Sequence, residues 1–283
     1  MRIEDMIRGI DVSAAQGRID WPRVAAAGFR FAYIKCGEGN EDRKDPTFDV
    51  NVAGALGAGL YVGAYYVGWP LPDNGNESRA PKAQAERFWR TSGGLGRNAC
   101  ELPPMFDFEW PTPDLWPKWE CEPVQVARWG RDFMAEVEAR WSLRHSTPVV
   151  YSFPWFWNSM ALAAGPSEIA WASHYLLCLA SYRDVAEDLP KGPPVHELSP
   201  WGRGKETFWQ WSADKGRRIP GIATDIDRQL FNGTASQLRR LANIEGGDNL
   251  SAEFNAHRDA VREDNITTIV DGAAEAYRKD RDA

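Results

Sequence analysis

The chain has 283 residues, 43% of them apolar and 26% charged, the proportions of an ordinary folded domain rather than of a disordered chain or a bundle of membrane spans. With 40 acids against 33 bases its formal charge is −7, which argues against a nucleic-acid partner because phosphate binding needs clustered Lys and Arg. The length suits one barrel-sized unit with an appendage and does not demand two domains.

In chain order, RGIDVS at 8–13 reads as a first strand, 21–27 as a helix and FRFAYIKC at 29–36 as a second strand. A helix over 46–58 leads to LYVGAYYVG at 60–68, and another over 80–92 leads to PMFDFEW at 104–110. Residues 123–141 are helical, TPVVYSF at 147–153 is a strand, and 154–163 is a helix with apolar residues at helical period. YLLCLASY at 175–182, TFWQWS at 207–212 and TDIDRQLF at 224–231 complete eight short apolar runs rich in β-branched and aromatic residues. Several of the helices open with Pro at an early position, where the missing N–H has no intrahelical partner to lose.

Eight strands alternating with helices predict the α/β class, with a mostly parallel sheet closed into a TIM-like barrel over 1–240. An open doubly wound sheet is the alternative. No G-x-G-x-x-G follows a strand, and GLGR at 94–97 is too short to make a dinucleotide site. Beyond the barrel, Gly246 and Gly247 followed by Asp248, Asn249 and Ser251 read as a linker and helix cap. Phe254, Val261, Ile269, Val270, Ala273 and Tyr277 then form an apolar stripe at helical period. A helical C-terminal extension is expected over 241–283, docking on the barrel or self-associating through 250–281.

Cys36, Cys100, Cys121 and Cys178 lie far apart without C-x-x-C spacing, and none of the four His residues sits in an H-E-x-x-H frame. No metal and no cofactor is therefore expected. Cys100 and Cys121 bracket PMFDFEW and are a candidate bridge only if their geometry permits it. MRIEDMIRGID lacks the apolar core of a signal peptide and no apolar stretch reaches 18 residues, so cytoplasmic synthesis without membrane insertion is expected. The 14 Trp are many for this length, and flat aromatic faces stack on the C–H faces of sugars, which makes carbohydrate a candidate ligand.

Side chains two apart on a strand share a face, so Asp107 and Glu109 of PMFDFEW point one way while Phe106, Phe108 and Trp110 point the other. Two carboxylates in one partly dry pocket raise the pKa of at least one of them, which folding alone gives no reason to do. A general acid beside a carboxylate that stays ionised would use that arrangement, whereas a strand end reaching solvent or pairing with Arg is the plain structural alternative. Asp11 ends the first strand, and Asp225 and Asp227 repeat the alternation in the last. In a parallel barrel the strand ends converge on one face and the first and last strands are neighbours. Acids from the first, middle and last strands would meet there, which suggests glycoside hydrolysis.

GIDVSAAQGRIDW (9–21), AAGFRFAYIKCGEG (26–39), DPTFDVNVAGALGAGLYVGAYY (45–66), the D-x-E of MFDFEW, VVYSFPWFW (149–157), LASY (179–182), FWQWS (208–212) and DRQLFNG (227–233) together resemble the ordered motifs of glycoside hydrolase family 25. That family comprises lysozymes of the N-acetylmuramidase type, many from phages. The resemblance implies a flattened β/α barrel that cleaves the β-1,4 bond between N-acetylmuramic acid and N-acetylglucosamine in peptidoglycan. It implies Glu109 as general acid/base, with Asp107 as nucleophile or as the group that orients the substrate N-acetyl, and Asp11 and Asp227 as the other acids of the site. Tyr65, Tyr66, Tyr151, Tyr182, Trp209, Gln210 and Asp225 are expected to line it. Two positions depart from the pattern, Tyr66 where His is common and Cys178 where Trp is usual, and both alter the wall of the pocket rather than its acids. The segment at 110–123 follows the acid strand with Trp110, Trp116 and Trp119, and Trp110 is expected to stack on sugar.

The expected function is a phage-type endolysin, delivered to bacterial peptidoglycan after synthesis by a holin-like partner. A chitinase-like enzyme is a rival, but the longer D-x-x-D-x-D-x-E run it would carry is absent, since PPM precedes Asp107. A catalytically inactive glycan-binding or phage structural protein on the same barrel is the other.

Overall fold

In the computed structural model, residues 2–39, 43–70, 76–109, 121–143, 146–182, 189–190, 194, 196–213 and 218–244 are described. The strands are β1 (Ile7–Val12), β2 (Phe31–Glu38), β3 (Tyr61–Val67), β4 (Met105–Asp107), β5 (Val149–Ser152), β6 (Leu176–Ala180), β7 (Phe208–Ser212) and β8 (Asp227–Phe231). They close in sequence order into one barrel. The helices are α1 (Trp21–Ala26), α2 (Phe48–Gly57), α3 (Pro81–Ser92), α4 (Pro123–Trp141), α5 (Pro154–Ala164), α6 (Pro166–Ile169) and α7 (Ala235–Leu241). Pro stands in the first turn of α1, α3, α4, α5 and α6, and α3 stops at Gly93, whose left-handed φ of 63° ends the helix.

From β1 to β7 each strand runs parallel to the next. β8 is antiparallel to both β7 and β1, which corrects the expectation of strand ends all pointing one way. Among the described residues no helix lies between β7 and β8, and a strand that is not returned by a helical crossover lies antiparallel to the one before it.

Strand parity sets the two layers of the core. Inside the barrel, the rings of Phe31, Tyr33 and Phe231 each lie 5.4 Å from Phe208. Room for them comes from glycine. A Cβ at Gly9 would lie 2.2 Å from the Phe31 ring, and one at Gly63 would lie 2.3 Å from that of Tyr33. Outside the barrel, Tyr66, Phe88, Phe106, Phe108, Phe133, Phe156 and Trp157 are fully buried, largely against the faces of α3, α4 and α5. β7 and β8 have no such helical cover among the described residues. Their outer face carries a separate cluster of Trp209, Trp211 and Leu230, onto which Ile3, Met6 and Leu189 pack.

The consequence for function is an apolar floor under a polar roof. Following one parity, Gly9 leads to Asp11, Tyr33 to Lys35, Gly63 to Tyr65, Met105 to Asp107, and Phe208 to Gln210. Cys100 and Cys121 are not joined by a disulfide. Among the described residues no helix is long and apolar enough to cross a membrane, and no group of His, Cys, Asp and Glu is arranged to hold a metal ion. The expected extension, apart from residues 241–244, and the Trp-rich segment at 110–120 lie outside the described residues.

Candidate active site

The reversal of β8 decides how its acid reaches the site. Asp227 is the first residue of that strand and stands in register with Asp11, next to last in β1. The start of β8 thus meets the end of β1, and Asp227 joins the face where the parallel strands finish. Asp225, two residues earlier, is exposed. Its backbone carbonyl accepts a hydrogen bond from Gln16 Nε2 at 3.2 Å, which pins the chain as it enters β8.

Gln210 of β7 ties the site together. Its Nε2 donates to Asp11 Oδ2 at 3.0 Å and reaches Asp227 Oδ2 at 3.5 Å. Its Oε1 accepts from the hydroxyls of Tyr151 and Tyr182, each at 2.9 Å. The buried amide therefore has one orientation, with donors toward the acids and its acceptor toward the tyrosines. Gln229 of β8 adds a second donor to Asp11 Oδ2 at 2.7 Å.

Asp107 ends β4, is buried, and its Oδ1 has no hydrogen-bond partner among the described residues. Burial holds its carboxyl well above the usual carboxylate range, and the neighbouring Glu109, then Asp11 and Asp227, push it further while Lys35 opposes them. The β4 ladder closes at Asp107, so Glu109 lies just past the strand rather than inside it. What aims it is Phe108. The Phe108 N–H donates to the Tyr151 carbonyl at 3.0 Å, and its own carbonyl accepts from Ser152 Oγ at 2.9 Å. Its ring is sealed between Phe106 and Phe156, with centroids 4.8 and 5.2 Å away. With Phe108 fixed outward, the residue after it turns toward the acids. Burial, and then Asp11, push the Glu109 carboxyl up to about 7, against the pull of Lys35.

Tyr65 of β3 shares this environment. Burial raises its hydroxyl well above the ordinary tyrosine value, and Asp11, Asp107 and Asp227 add to the effect, so it stays a neutral hydrogen-bonding group among carboxyls. The Tyr151 hydroxyl is raised in the same way by burial and by Glu109. Tyr182 is half exposed, with its hydroxyl on Gln210.

Two expected lining residues point elsewhere. Tyr66 is fully buried on the outer face of the barrel, its ring stacked on Phe88 at 5.3 Å and its hydroxyl donated to the Gly39 carbonyl. Trp209 is fully buried in the outer cluster of β7 and β8, with Nε1 donated to the Ser181 carbonyl at 2.8 Å. Adjacent residues on a strand face opposite ways, so Tyr65 and Gln210 inside leave Tyr66 and Trp209 outside. Trp110 lies outside the described residues.

Lys35 and Gln229 belong to the site although the motifs did not mark them. Lys35 shares the parity of Phe31 and Tyr33, ion-pairs with Glu38, and is the base that acts against protonation of both Asp107 and Glu109. The signal for each was present. Lys35 is a charge inside the apolar run FAYIKC, and Gln229 stands two residues after Asp227.

Comparison with known proteins places this geometry among relatives. The family model of "Glycosyl hydrolases family 25" matches residues 10–222. "Lysozyme M1" of Streptomyces globisporus is 34% identical over 243 residues, covering 84% of this chain and 71% of that protein. The crystal structure of the bacterial lysozyme from Streptomyces coelicolor is 33% identical, superposes with a TM-score of 0.65, and covers 84% of this chain and 97% of that one. A family 25 lysozyme structure from Aspergillus fumigatus is 26% identical with a TM-score of 0.66, covering 84% of this chain and 99% of its own.

Proposed function

The chain belongs to the glycosyl hydrolases of family 25, and we propose that it is a muramidase whose proton donor is Glu109. It hydrolyses the β-1,4 bond between N-acetylmuramic acid and N-acetylglucosamine in peptidoglycan. The observation that carries the assignment is the convergence of Asp11, Asp107, Glu109 and Asp227 on one end of the barrel, where burial and Asp11 push the Glu109 carboxyl up to about 7. At neutral pH such a group still holds a large share of its proton, which a general acid must do before it can protonate a leaving oxygen.

As the glycosidic bond breaks, positive charge develops at the anomeric carbon. Asp107, with one oxygen unpartnered among the described residues, holds its proton more tightly than an ordinary carboxyl, so it hydrogen-bonds the neighbouring 2-acetamido group, or faces that charge once it has given the proton up. Asp11, held by two amide donors, and Asp227 complete the acidic wall. Tyr65, Tyr151 and Tyr182 contribute neutral hydroxyls that orient sugar oxygens, and Asp225 offers a further carboxylate at the rim. Digestion of defined peptidoglycan followed by mass analysis tests the bond assigned. New reducing ends on N-acetylmuramic acid are expected, and reducing ends on N-acetylglucosamine would refute it.

The finer reading is a phage-type endolysin that acts on the wall after release by a holin-like partner, with self-association through 250–281. The likeness of the motifs to lysozymes of that type supports the endolysin reading, and the apolar stripe of Phe254, Val261, Ile269, Val270, Ala273 and Tyr277 supports self-association. Co-expression in a bacterial host is expected to give lysis only when a holin is supplied; lysis by this chain alone would remove the need for one.

A further inference from the structure

On a regular strand Lys35 and Glu38 would not meet. Residues three apart point to opposite sides of the sheet, yet Lys35 Nζ donates to Glu38 Oε2 at 2.5 Å. The pairing of β2 with β3 supplies the reason. Lys35 stands in register with Tyr65 and Gly37 with Tyr66, so Cys36 is an extra residue in β2. Such a bulge re-aims the side chains that follow it. Glu38 thereby comes into register with Val67, which is itself in register with Asp107, and residues in one row of a parallel sheet share a face. The bulge turns Glu38 onto the face that holds the acids.

That face carries several other titratable groups. β1 presents Asp11, β4 presents Asp107 with Glu109 just beyond it, and β8 presents Asp227. Tyr65, Tyr151 and Tyr182 add neutral hydroxyls from β3, β5 and the chain just after β6. Lys35 acts on both Asp107 and Glu109, in each case toward the ionised form. Among the described residues the charges that act on Glu109 are Asp11 and Lys35, so Glu38 reaches that carboxyl only through the lysine it holds. A lysine is a compact charge on a flexible stem, and where it sits depends on which carboxylate engages it.

We propose that Glu38 is a positioning residue, which engages the Lys35 ammonium and keeps it from pairing with Asp107 and Glu109. This role rests on the reading of Glu109 as proton donor. An ammonium released by Glu38 would turn to the remaining carboxyls, favour their ionised forms and strip the acid of its proton near neutral pH. Held by Glu38, it tempers the crowd of acids without discharging the one that must donate.

The test follows the alkaline limb of kcat/KM on purified cell walls. In Glu38→Gln the limb, expected near pH 7 in the wild type, moves down by about one pH unit, which lowers kcat/KM at pH 8 about tenfold. Glu38→Asp keeps the charge and is expected to restore most of the difference. Lys35→Met moves the limb up, and adding Glu38→Gln to it is expected to move the limb no further, because the lysine through which Glu38 acts is gone. NMR titration of the Glu109 carboxyl reads the same midpoints without turnover. A merely structural pair would lower Tm in Glu38→Gln and leave the limb in place. A limb that stays or rises in Glu38→Gln, or that shifts as far in the Lys35→Met background, overturns the role of Glu38 and leaves the muramidase assignment standing. A wild-type enzyme that releases no muropeptide at any pH ends that assignment instead, and the NMR midpoints then decide by themselves whether Glu38 acts on Glu109 through Lys35.

Discussion

Glu109→Gln is expected to lower the rate of muropeptide release by about 10²- to 10⁴-fold, the contribution a positioned general acid makes. The substitution keeps the side chain's shape and removes its proton, so sedimented cell walls should still bind the variant. Persistence of near wild-type release from purified walls would reject Glu109 as the acid. The pH dependence follows with a definite sign. A carboxyl pushed up to about 7 is protonated below that value, so kcat/KM for the wild-type enzyme falls as pH rises through about 7. Stability runs in the same direction. Between the ordinary value of 4.5 and about 7, the folded chain keeps a proton that the unfolded chain has released. Stability is therefore fully present below the unfolded value and is lost as pH rises through the folded one. Glu109→Gln removes this loss and is expected to stabilise the protein at pH 8 by up to about 3 kcal/mol, read as a higher Tm than wild type.

Asp107→Asn is expected to cost about 10²- to 10³-fold in kcat, the usual price of removing one preorganised electrostatic contact to the transition state. It should also raise stability above neutral pH, because the Asp107 carboxyl is buried, lies beside other acids, and is held well above the usual carboxylate range. A purely structural acid would behave differently. If Asp107 served only to complete β4, Asn in its place would keep activity to within a few-fold, and that outcome in a turnover assay would end its role in the chemistry. A combined result of lost turnover and a raised Tm at pH 8 distinguishes an acid kept for function from one kept for folding. Lys35 limits how far either carboxyl climbs, since its charge favours the ionised form of both.

Much of this was legible in the chain, and the failures share one cause. The eight strand segments and the helices that open on Pro follow from local periodicity, which a strand or helix imposes regardless of what it packs against, whereas Glu109 lies past its strand and is aimed by the packing of Phe108. Tyr65 and Tyr66 show where that stops. Parity says that two adjacent strand residues face opposite ways, but not which of them faces the barrel axis. The same ambiguity covers Trp209 and Gln210, and in both pairs closure of the barrel chose the polar roof for one and the outer packing for the other. Asp227 joined the acids for a reason the motif did not contain, namely that β8 is reversed and its first residue meets the end of β1.

The sequence by itself determined which acids the chain carries and the two-residue spacing of Asp107 and Glu109, because both are properties of covalent order. Tertiary structure decided which parity faces inward, which end of β8 joins the site, and how tightly each carboxyl holds its proton. Those three depend on burial and on charges brought together from strands more than 200 residues apart in the chain, as in the hydrogen bond between Gln229 and Asp11.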